Sequence, residues 1–267
     1  MFSVRFKPGA RGANSLATRI SRELLCLALA LTLAPITCHA TIILVTLTIG
    51  AVYLGADGRL THTDENGNVT YGDACKIRQF GKIVVAYSGT VTDANVQFNV
   101  FDVLSSIEAS SLSEFADKVA DVLPSKFQKS LERSASAGKV SPNLIIPGDI
   151  AIVGFEDGKP AFIRILIFND KGVVKAVKIN EGKQSEKIFK SNPGIIIGPL
   201  PLGKVHAVSS TDFVSSDCWT NNSSVEGITR CMLKTYIGAD PRHINEPIAV
   251  LKVTKNNVSW IEKGKCE

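Results

Sequence analysis

Residues 41–61 read TIILVTLTIGAVYLGADGRLT, and this stretch decides the fold. Apolar and β-branched residues fill it on both sides of Thr48-Ile49-Gly50, which is the composition of two short strands joined by a turn. The second run ends at Asp57, and a carboxylate at the end of an apolar strand needs a cationic partner if it is buried. The stretch therefore predicts a strand pair that starts after Thr41 and ends before Asp57.

An export signal precedes this stretch. Five basic residues come first, and the apolar run Leu24–Ala34 follows them. Cys38 and Ala40 then place small residues at the −3 and −1 positions that a leader peptidase reads. We expect signal peptidase to cut between Ala40 and Thr41. Residues 1–40 are then a signal peptide, and the protein is exported to the periplasm or secreted.

The alternative is an uncleaved leader that serves as a membrane anchor, because Ile42–Val45 resumes the apolar character of the leader. The uninterrupted run Leu24–Ala34 has 11 residues. A helix needs about 20 apolar residues to span a bilayer. Pro35 then interrupts the pattern, and the residues after Thr41 favour strands, so cleavage is the reading that the sequence supports better.

Cleavage changes the charge balance of the protein. The whole chain has 30 Lys and Arg and 25 Asp and Glu, and residues 1–40 hold 5 of the basic residues and 1 of the acidic ones. The remaining 227 residues (267 − 40) therefore carry 25 basic and 24 acidic side chains, a net charge of +1. This balance gives no reason to expect a nucleic-acid partner. We expect residues 41–267 to form one domain.

Six cysteines become four after cleavage, an even number that permits two disulfides in an exported protein. Four cysteines allow three pairings, and the sequence leaves the choice open, although Cys218 and Cys231 are nearest along the chain. No pair has CxxC spacing and the chain has only 4 His, so we expect no metal site and no cofactor. The four cysteines are Cys75, Cys218, Cys231 and Cys266.

Strand and helix patterns follow one another in the order strands, helices, strands, a helix, strands. Helical patterns cover Ala94–Ile107, Ser111–Arg133 and Ser223–Ile237, and Ser111 with Glu114 forms a capping box. Hairpin connections outnumber βαβ units, which predicts an α+β fold with antiparallel sheets whose outer faces are covered by helices. The later runs that predict strands include Lys82–Ser88, Asp149–Phe155, Ala161–Phe168, Val173–Ile179, Ile248–Val253 and Val258–Ile261.

A threonine at the first position of a chain carries a hydroxyl and a free α-amine on one residue, which is a known nucleophile and base pair. The amine must be neutral to accept a proton, and its ordinary pKa of about 7.7–8.0 falls beside a cation. A backbone N–H must also face the developing oxyanion. Lys76 offers the cation, Asp57 a carboxylate, and Gly89 a backbone that a ligand can approach closely.

This ordered set resembles the start of proteasome β-type subunits and their bacterial ring-protease relatives, within the N-terminal-nucleophile (Ntn) hydrolases. In that family an Asp follows the catalytic Thr by sixteen residues, and here 57 − 41 = 16. Arg59 and Thr61 match the family's Asp-x-Arg-x-Thr order, and Lys76 matches the family lysine three residues later than usual. The family's Gly-Gly-x-x-Asp turn corresponds to residues 89–93, with Thr90 in place of the second glycine.

The resemblance implies a four-layer αββα sandwich of two antiparallel sheets, and it implies catalytic roles. Thr41 would attack the carbonyl of a peptide or small amide, and its α-amine would carry the proton. Lys76 would lower the pKa of that amine and, with Asp57, hold the charge balance. The N–H of Gly89 would stabilise the oxyanion. Arg59 would support this group.

The resemblance also implies substrate contacts. The backbone of Thr61 would pair with an extended substrate, and the first specificity pocket would be lined by Leu60, Tyr87 and Val91. All three are largely apolar, so a hydrophobic residue before the scissile bond is expected. Ordinary core packing is the alternative for these three side chains.

Departures from the family leave a second function open. Ile42 stands where the family has a small polar residue. The Ser and Asp that hold the terminal amine have no clear match, with Asp240 nearest for the Asp and Ser209, Ser210 and Asp212 as other possibilities. The alternative is therefore a catalytically inactive proteasome-like subunit or binding module. Either form implies a possible homo-oligomer, a ring or stacked dimer.

Overall fold

The structure is a computed structural model. All the residues that it describes belong to one unit of the chain, His39–Glu267. The described residues are 41–63, 69–89, 92–93, 98–136, 148–180, 197–202, 217–241 and 244–266.

Fourteen strands and four helices are formed within these ranges. The strands are β1 Ile43–Leu47, β2 Ala51–Ala56, β3 Arg59–Thr63, β4 Val69–Asp73, β5 Ile77–Phe80, β6 Ile83–Ser88, β7 Thr92–Asp93, β8 Phe98–Asn99, β9 Gly148–Glu156, β10 Lys159–Asp170, β11 Val173–Asn180, β12 Ile197–Leu202, β13 Ala249–Thr254 and β14 Val258–Glu262. The helices are α1 Val100–Ser105, α2 Leu112–Ser136, α3 Asp217–Thr220 and α4 Val225–Ala239.

Two five-stranded sheets carry the fold. Sheet I has the order β12-β1-β2-β13-β14, and sheet II has the order β11-β10-β9-β6-β5. Every neighbouring pair in both sheets is antiparallel. Two small two-stranded sheets, β3-β4 and β7-β8, complete the described strands. Sheet I thus has β1 and β2, the two strands of the deciding stretch, near its centre.

The apolar side chains divide into three layers, as the alternation of a strand requires. Val45 and Leu54 of sheet I face Val84 and Val153 of sheet II in the central layer. A second layer lies between the outer face of sheet II and the helices α1 and α2. A third lies between the outer face of sheet I and the helices α3 and α4. The order is helix, sheet, sheet, helix, and the α+β fold class that the sequence predicts is confirmed.

Gly55 of β2 allows α4 to lie close to sheet I. A Cβ at this position would meet the side chains of Leu233 and Thr229 at 2.8 and 3.0 Å. Both of those residues are fully buried. A larger residue in β2 would push the helix away and open the layer beneath it, which is costly in a close-packed interior.

One predicted helix is partly wrong. The pattern over Ala94–Ile107 predicts a helix throughout, but Phe98–Asn99 is a strand paired with Thr92–Asp93, and only Val100–Ser105 is helical. The helix begins after Asn99 because the side chain of Asn99 accepts a hydrogen bond from the N–H of Phe101. Residues 94–97 lie outside the described part of the chain.

The other two helices agree with the sequence apart from their ends. Ser111 caps α2 by accepting from the N–H of Glu114, as the capping box requires, but the Glu114 carboxylate accepts from the N–H and hydroxyl of Ser110 instead of Ser111. Helix α4 is capped by Ser224 and continues through the predicted end at Gly238 to Ala239.

Candidate active site

The pairing of β1 with β2 brings the two ends of the deciding stretch together. Ile43 pairs with Ala56 in this hairpin. One residue further out, the N–H of Asp57 donates to the carbonyl of Ile42 at 3.2 Å, and the N–H of Ile42 donates to Asp57 Oδ1 at 2.9 Å. Thr41 directly precedes Ile42. The hairpin therefore brings Thr41 and Asp57, which are sixteen residues apart in the sequence, to neighbouring strand ends.

Lys76 joins this pair from the second sheet. It precedes β5, and its carbonyl accepts from the N–H of Tyr87 in β6 at 3.0 Å. Its ammonium Nζ lies 2.9 Å from Thr41 Oγ1 and 2.9 Å from both carboxylate oxygens of Asp57. The structure thus brings Thr41, Asp57 and Lys76 together, although they are far apart in the sequence.

The three side chains are shielded from solvent. Thr41 is 7% exposed, Asp57 1% and Lys76 4%. A buried ion pair is tolerated only when its remaining hydrogen-bonding capacity is satisfied. Each oxygen of Asp57 meets this condition, because Oδ1 also accepts from the N–H of Ile42 and Oδ2 also accepts from the N–H of Arg59 at 3.0 Å. The carboxylate is therefore held from two sides by backbone.

Burial shifts the pKa values of Asp57 and Lys76 in the directions that favour the neutral form of each side chain. Burial raises the pKa of Asp57 above its ordinary value, although the adjacent Lys76 ammonium and two backbone N–H groups oppose the shift. Burial likewise lowers the pKa of Lys76, with the charge of Arg59 adding to the shift and Asp57 opposing it. A lysine of lowered pKa reaches its neutral form more readily, and a neutral amine can accept a proton.

This contact differs from the role that the sequence assigns to Lys76. The resemblance implies that Lys76 lowers the pKa of the Thr41 amine. In the structure Lys76 Nζ lies within hydrogen-bond distance of the Thr41 hydroxyl itself. Lys76 is thus placed to act on the Thr41 hydroxyl directly.

Gly89 directly follows β6 and is partly exposed. Its backbone has φ +136°, a conformation that glycine adopts far more readily than other residues. Thr90 and Val91 come next and lie outside the described residues, so the predicted pocket position of Val91 is not among the positions the structure describes. The backbone conformation therefore favours a glycine at the position predicted to supply the oxyanion donor.

Leu60 and Thr61 lie in β3. Leu60 pairs with Gly72, and Thr61 pairs with Tyr71, both in β4. Within the described residues β3 has β4 as its one strand neighbour. β3 begins two residues after Asp57. The resemblance implies that an extended substrate would pair with the other edge of this strand.

Tyr87 is completely buried in the layer between sheet II and the helices. Its ring meets the ring of Phe101 edge-on, with centroids 6.5 Å apart. Burial raises the pKa of the Tyr87 hydroxyl, and the charge of Asp149 adds to the shift. This position of Tyr87 agrees with ordinary core packing, the alternative to a place in the specificity pocket.

Arg59 and Asp240 have separate positions. Arg59 supports Asp57 through its backbone N–H, while its guanidinium lies 4.7 Å from the centre of the Tyr71 ring. Asp240 ends α4, where its N–H donates to the carbonyl of Tyr236 and its carbonyl accepts from the N–H of Ile244. The structure thus gives Asp240 a backbone role at the end of α4. The other possibilities in the second half, Ser209, Ser210 and Asp212, lie outside the described residues.

Two supports of the site escaped the sequence reasoning. Cys75, the residue before Lys76, forms a disulfide with Cys266, while Cys218 pairs with Cys231 as its nearness along the chain suggests. Gly58, the residue after Asp57, donates its N–H to the carbonyl of Asn245 at 3.2 Å. A Cβ at Gly58 would lie 2.4 Å from the carbonyl oxygen of Pro247, so only glycine fits this turn. The positions of Cys75 and Gly58 beside the two charged residues were the available signals.

No helix in the ranges above is both long enough and apolar enough to cross a membrane. The same ranges hold no group of three or more His, Cys, Asp or Glu side chains arranged to bind a metal ion.

No protein-family model matches the chain, and no curated protein matches it. Among solved structures the chain is similar to Anbu (ancestral beta-subunit) from Yersinia bercovieri, with a TM-score of 0.47 and 10% sequence identity, covering 83% of this chain and 87% of that chain. A likeness of this size does not place the chain in a family.

Proposed function

We propose that this protein is an N-terminal threonine hydrolase that cleaves peptide or small amide bonds once its leader is removed before Thr41. One observation carries the proposal: Lys76 Nζ lies 2.9 Å from the Thr41 hydroxyl and 2.9 Å from both oxygens of the buried Asp57. A nucleophile, a base and a group that orients the base are the three parts that covalent catalysis by a hydroxyl requires.

In the first step Thr41 Oγ1 forms a bond to the substrate carbonyl carbon as its proton passes to the neutral Lys76. Asp57 keeps the lysine in place and stabilises the ammonium that forms. The oxyanion accepts a hydrogen bond from the N–H of Gly89, which is worth about 3 kcal/mol when such a donor is well placed.

In the second step the Lys76 ammonium passes this proton to the neutral α-amine of Thr41, and the departing amine takes it from the resulting α-ammonium as the carbon–nitrogen bond breaks. This leaves an ester on Thr41. Water then attacks the ester and regenerates the hydroxyl, with the same basic groups carrying the protons in reverse. The free α-amine of Thr41 is essential to this sequence of steps, which is why removal of the leader comes first.

A structural ion pair is the simplest competing explanation for Asp57 and Lys76, and it corresponds to an inactive subunit or binding module. A structural pair needs no third group, because Lys76 and the two backbone donors already satisfy the carboxylate. The additional contact between Lys76 and the hydroxyl of Thr41 favours the hydrolase. Buried pairs with perturbed pKa values are also typical of functional sites.

The two disulfides support the proposed export to the periplasm or the outside of the cell, because such bonds persist in oxidising compartments. In that setting residues 1–40 act as the signal peptide and signal peptidase exposes Thr41. The substrates would be peptides or small amides that need no unfolding. Assembly into a homo-oligomer, a ring or a stacked dimer, belongs to the same proposal.

The experiment is N-terminal sequencing of the exported protein, followed by covalent labelling with an electrophile directed at N-terminal threonine. The exported protein should begin at Thr41 and take up one label per chain, and Thr41→Ala should remove the label. Thr220→Ala, which changes an exposed threonine at the end of α3, is the matched control and should label normally. An exported protein that begins at another residue would contradict the proposal.

A further inference from the structure

We propose that Cys266 is a positioning residue for Lys76: the C-terminal segment Lys263–Cys266 holds the lysine within reach of Thr41 through the Cys75–Cys266 disulfide. The proposal rests on the function proposed for Lys76 above, and adds to it the part of the chain that holds Lys76 in place.

The disulfide joins two distant parts of the chain immediately beside the site. Cys75 and Cys266 are separated by 191 residues, and Cys75 is joined to Lys76 by a peptide bond. Both cysteines are buried, at 8% and 6% exposure, in the central layer between the two sheets. The bond therefore restrains the backbone of Lys76 from inside the core.

The C-terminal segment is itself fixed to sheet I. After β14 the chain turns back, and the N–H of Cys266 donates to the carbonyl of Lys263 at 2.9 Å. Gly264 has φ +54°, and a Cβ there would lie 2.6 Å from the carbonyl oxygen of Ile248, directly before β13. The backbone of the turn thus packs against the backbone before β13, and this contact fixes the position of Cys266.

The other backbone restraints on the segment around Lys76, within the described residues, are hydrogen bonds. This segment connects β4 to β5 and is not itself part of a strand, so it has no regular strand-to-strand hydrogen bonds. Its hydrogen bonds include one from the N–H of Ala74 to the carbonyl of Gly58 at 2.7 Å and one from the N–H of Tyr87 to the carbonyl of Lys76 at 3.0 Å. Lys265 also forms a long ion pair with Asp73 at 3.9 Å, which is exposed and contributes little. The disulfide is the covalent restraint in this group.

The position of Lys76 matters because its three contacts are all at 2.9 Å. A displacement of about 1 Å in a catalytic group costs on the order of 100-fold in rate. Loss of the disulfide lets the Cys75 backbone move and carries Lys76 Nζ away from the hydroxyl of Thr41. The rate of reaction at Thr41 therefore falls while the fold remains.

The second disulfide provides a matched control. Cys218 and Cys231 are 13 residues apart and join α3 to α4 in the outer layer of sheet I. Neither is adjacent in sequence to Thr41, Asp57 or Lys76. Removal of this bond should change stability without changing the geometry around Lys76.

The test uses protein that begins at Thr41 and compares three forms: wild type, C75S/C266S and C218S/C231S. The rate at which an N-terminal threonine electrophile labels Thr41 is measured below the unfolding temperature of all three. The Lys76 side chain is titrated in parallel by NMR of its Cε carbon, assigned with Lys76→Arg. We expect C75S/C266S to label about 10- to 100-fold more slowly, with an altered Lys76 titration, and the control to stay within about threefold of wild type.

A second form keeps the test decisive if C75S/C266S does not fold. In folded C218S/C231S only Cys75 and Cys266 remain, so a dithiol reductant that becomes a cyclic disulfide converts just this bond to two thiols. Labelling should slow on reduction and recover on reoxidation. An unchanged rate together with an unchanged Lys76 titration in the folded, reduced protein would overturn the proposal. Wild type that never labels would instead contradict the proposed hydrolase, and the Lys76 titration would still decide the positioning role.

Discussion

Lys76 Nζ lies 2.9 Å from Thr41 Oγ1 although 35 residues separate the two in the sequence. One residue precedes β1 of sheet I, and the other precedes β5 of sheet II. Their contact therefore depends on how the two sheets stack, and it crosses the boundary between them. Asp57 completes the contact from the end of β2 and accepts from the same ammonium group.

Replacement of Lys76 by arginine separates its charge from its ability to accept a proton. Arginine stays charged at every accessible pH and cannot act as a base. We expect Lys76→Arg and Lys76→Met to slow the labelling of Thr41 by at least about 100-fold each, the lower end of general-base effects. Labelling by Lys76→Arg at close to the wild-type rate would show that the charge suffices and that Lys76 is not the base.

The pH dependence of labelling should report the lowered pKa of Lys76. Because burial places that pKa below the ordinary 10.5, the rate should rise with pH and level off before pH 10.5. The charge of Asp57 raises the pKa of Lys76, so Asp57→Asn should lower it further and move the rising limb to lower pH. A pH–rate profile of each protein checks this. A limb that moves to higher pH, or does not move, would contradict the assignment of the base.

The same pKa shifts give the stability of the protein a defined pH dependence. The folded pKa of Asp57 is raised, so its contribution to folding is present below pH 3.8 and is lost as pH rises through the folded value. The folded pKa of Lys76 is lowered, so its contribution is present above pH 10.5 and is lost as pH falls through the folded value. Between these limits the buried pair reduces the free energy of unfolding.

A double-mutant cycle measures this pair. Lys76→Met leaves a buried carboxylate without its cation, and the free energy of unfolding should fall by about 3–5 kcal/mol at pH 7. Asp57→Asn in the same chain keeps an oxygen for the N–H of Ile42 and removes the charge, so the double variant should recover most of that loss. Urea unfolding of wild type, both single variants and the double variant checks it. Additive losses would mean that the two side chains are not coupled.

The strand pair of the deciding stretch is the part of the site that sequence predicts best. β1 and β2 are buried along their whole lengths, so both read as continuous apolar runs, and the spacing of Thr41 from Asp57 follows from the length of one hairpin. The place of Lys76 is different. The lysine can be picked out by its position before an apolar strand, but its distance from Thr41 depends on the stacking of two sheets and is not written in any local pattern.

The one wrong prediction and the two choices that the sequence leaves open each have a local physical cause. Phe98 and Val100 are residue types that suit both the apolar face of a helix and a strand. Phe98–Asn99 forms a strand because it pairs with Thr92–Asp93. The partner of Cys75 could not be chosen because a bond across 191 residues leaves no periodic trace. Tyr87 was ambiguous because an apolar pocket and an apolar core attract the same residue types.

The two disulfides should differ in their contributions to stability. A disulfide stabilises in part by restricting the unfolded chain, and the effect grows with the loop that it closes. Loops set by separations of 191 and 13 residues correspond to about 5 and about 3 kcal/mol on this basis. C75S/C266S should therefore unfold at a lower urea concentration than C218S/C231S, with both below wild type. The reverse order would show that native-state packing around Cys218 and Cys231 outweighs the restriction of the unfolded chain.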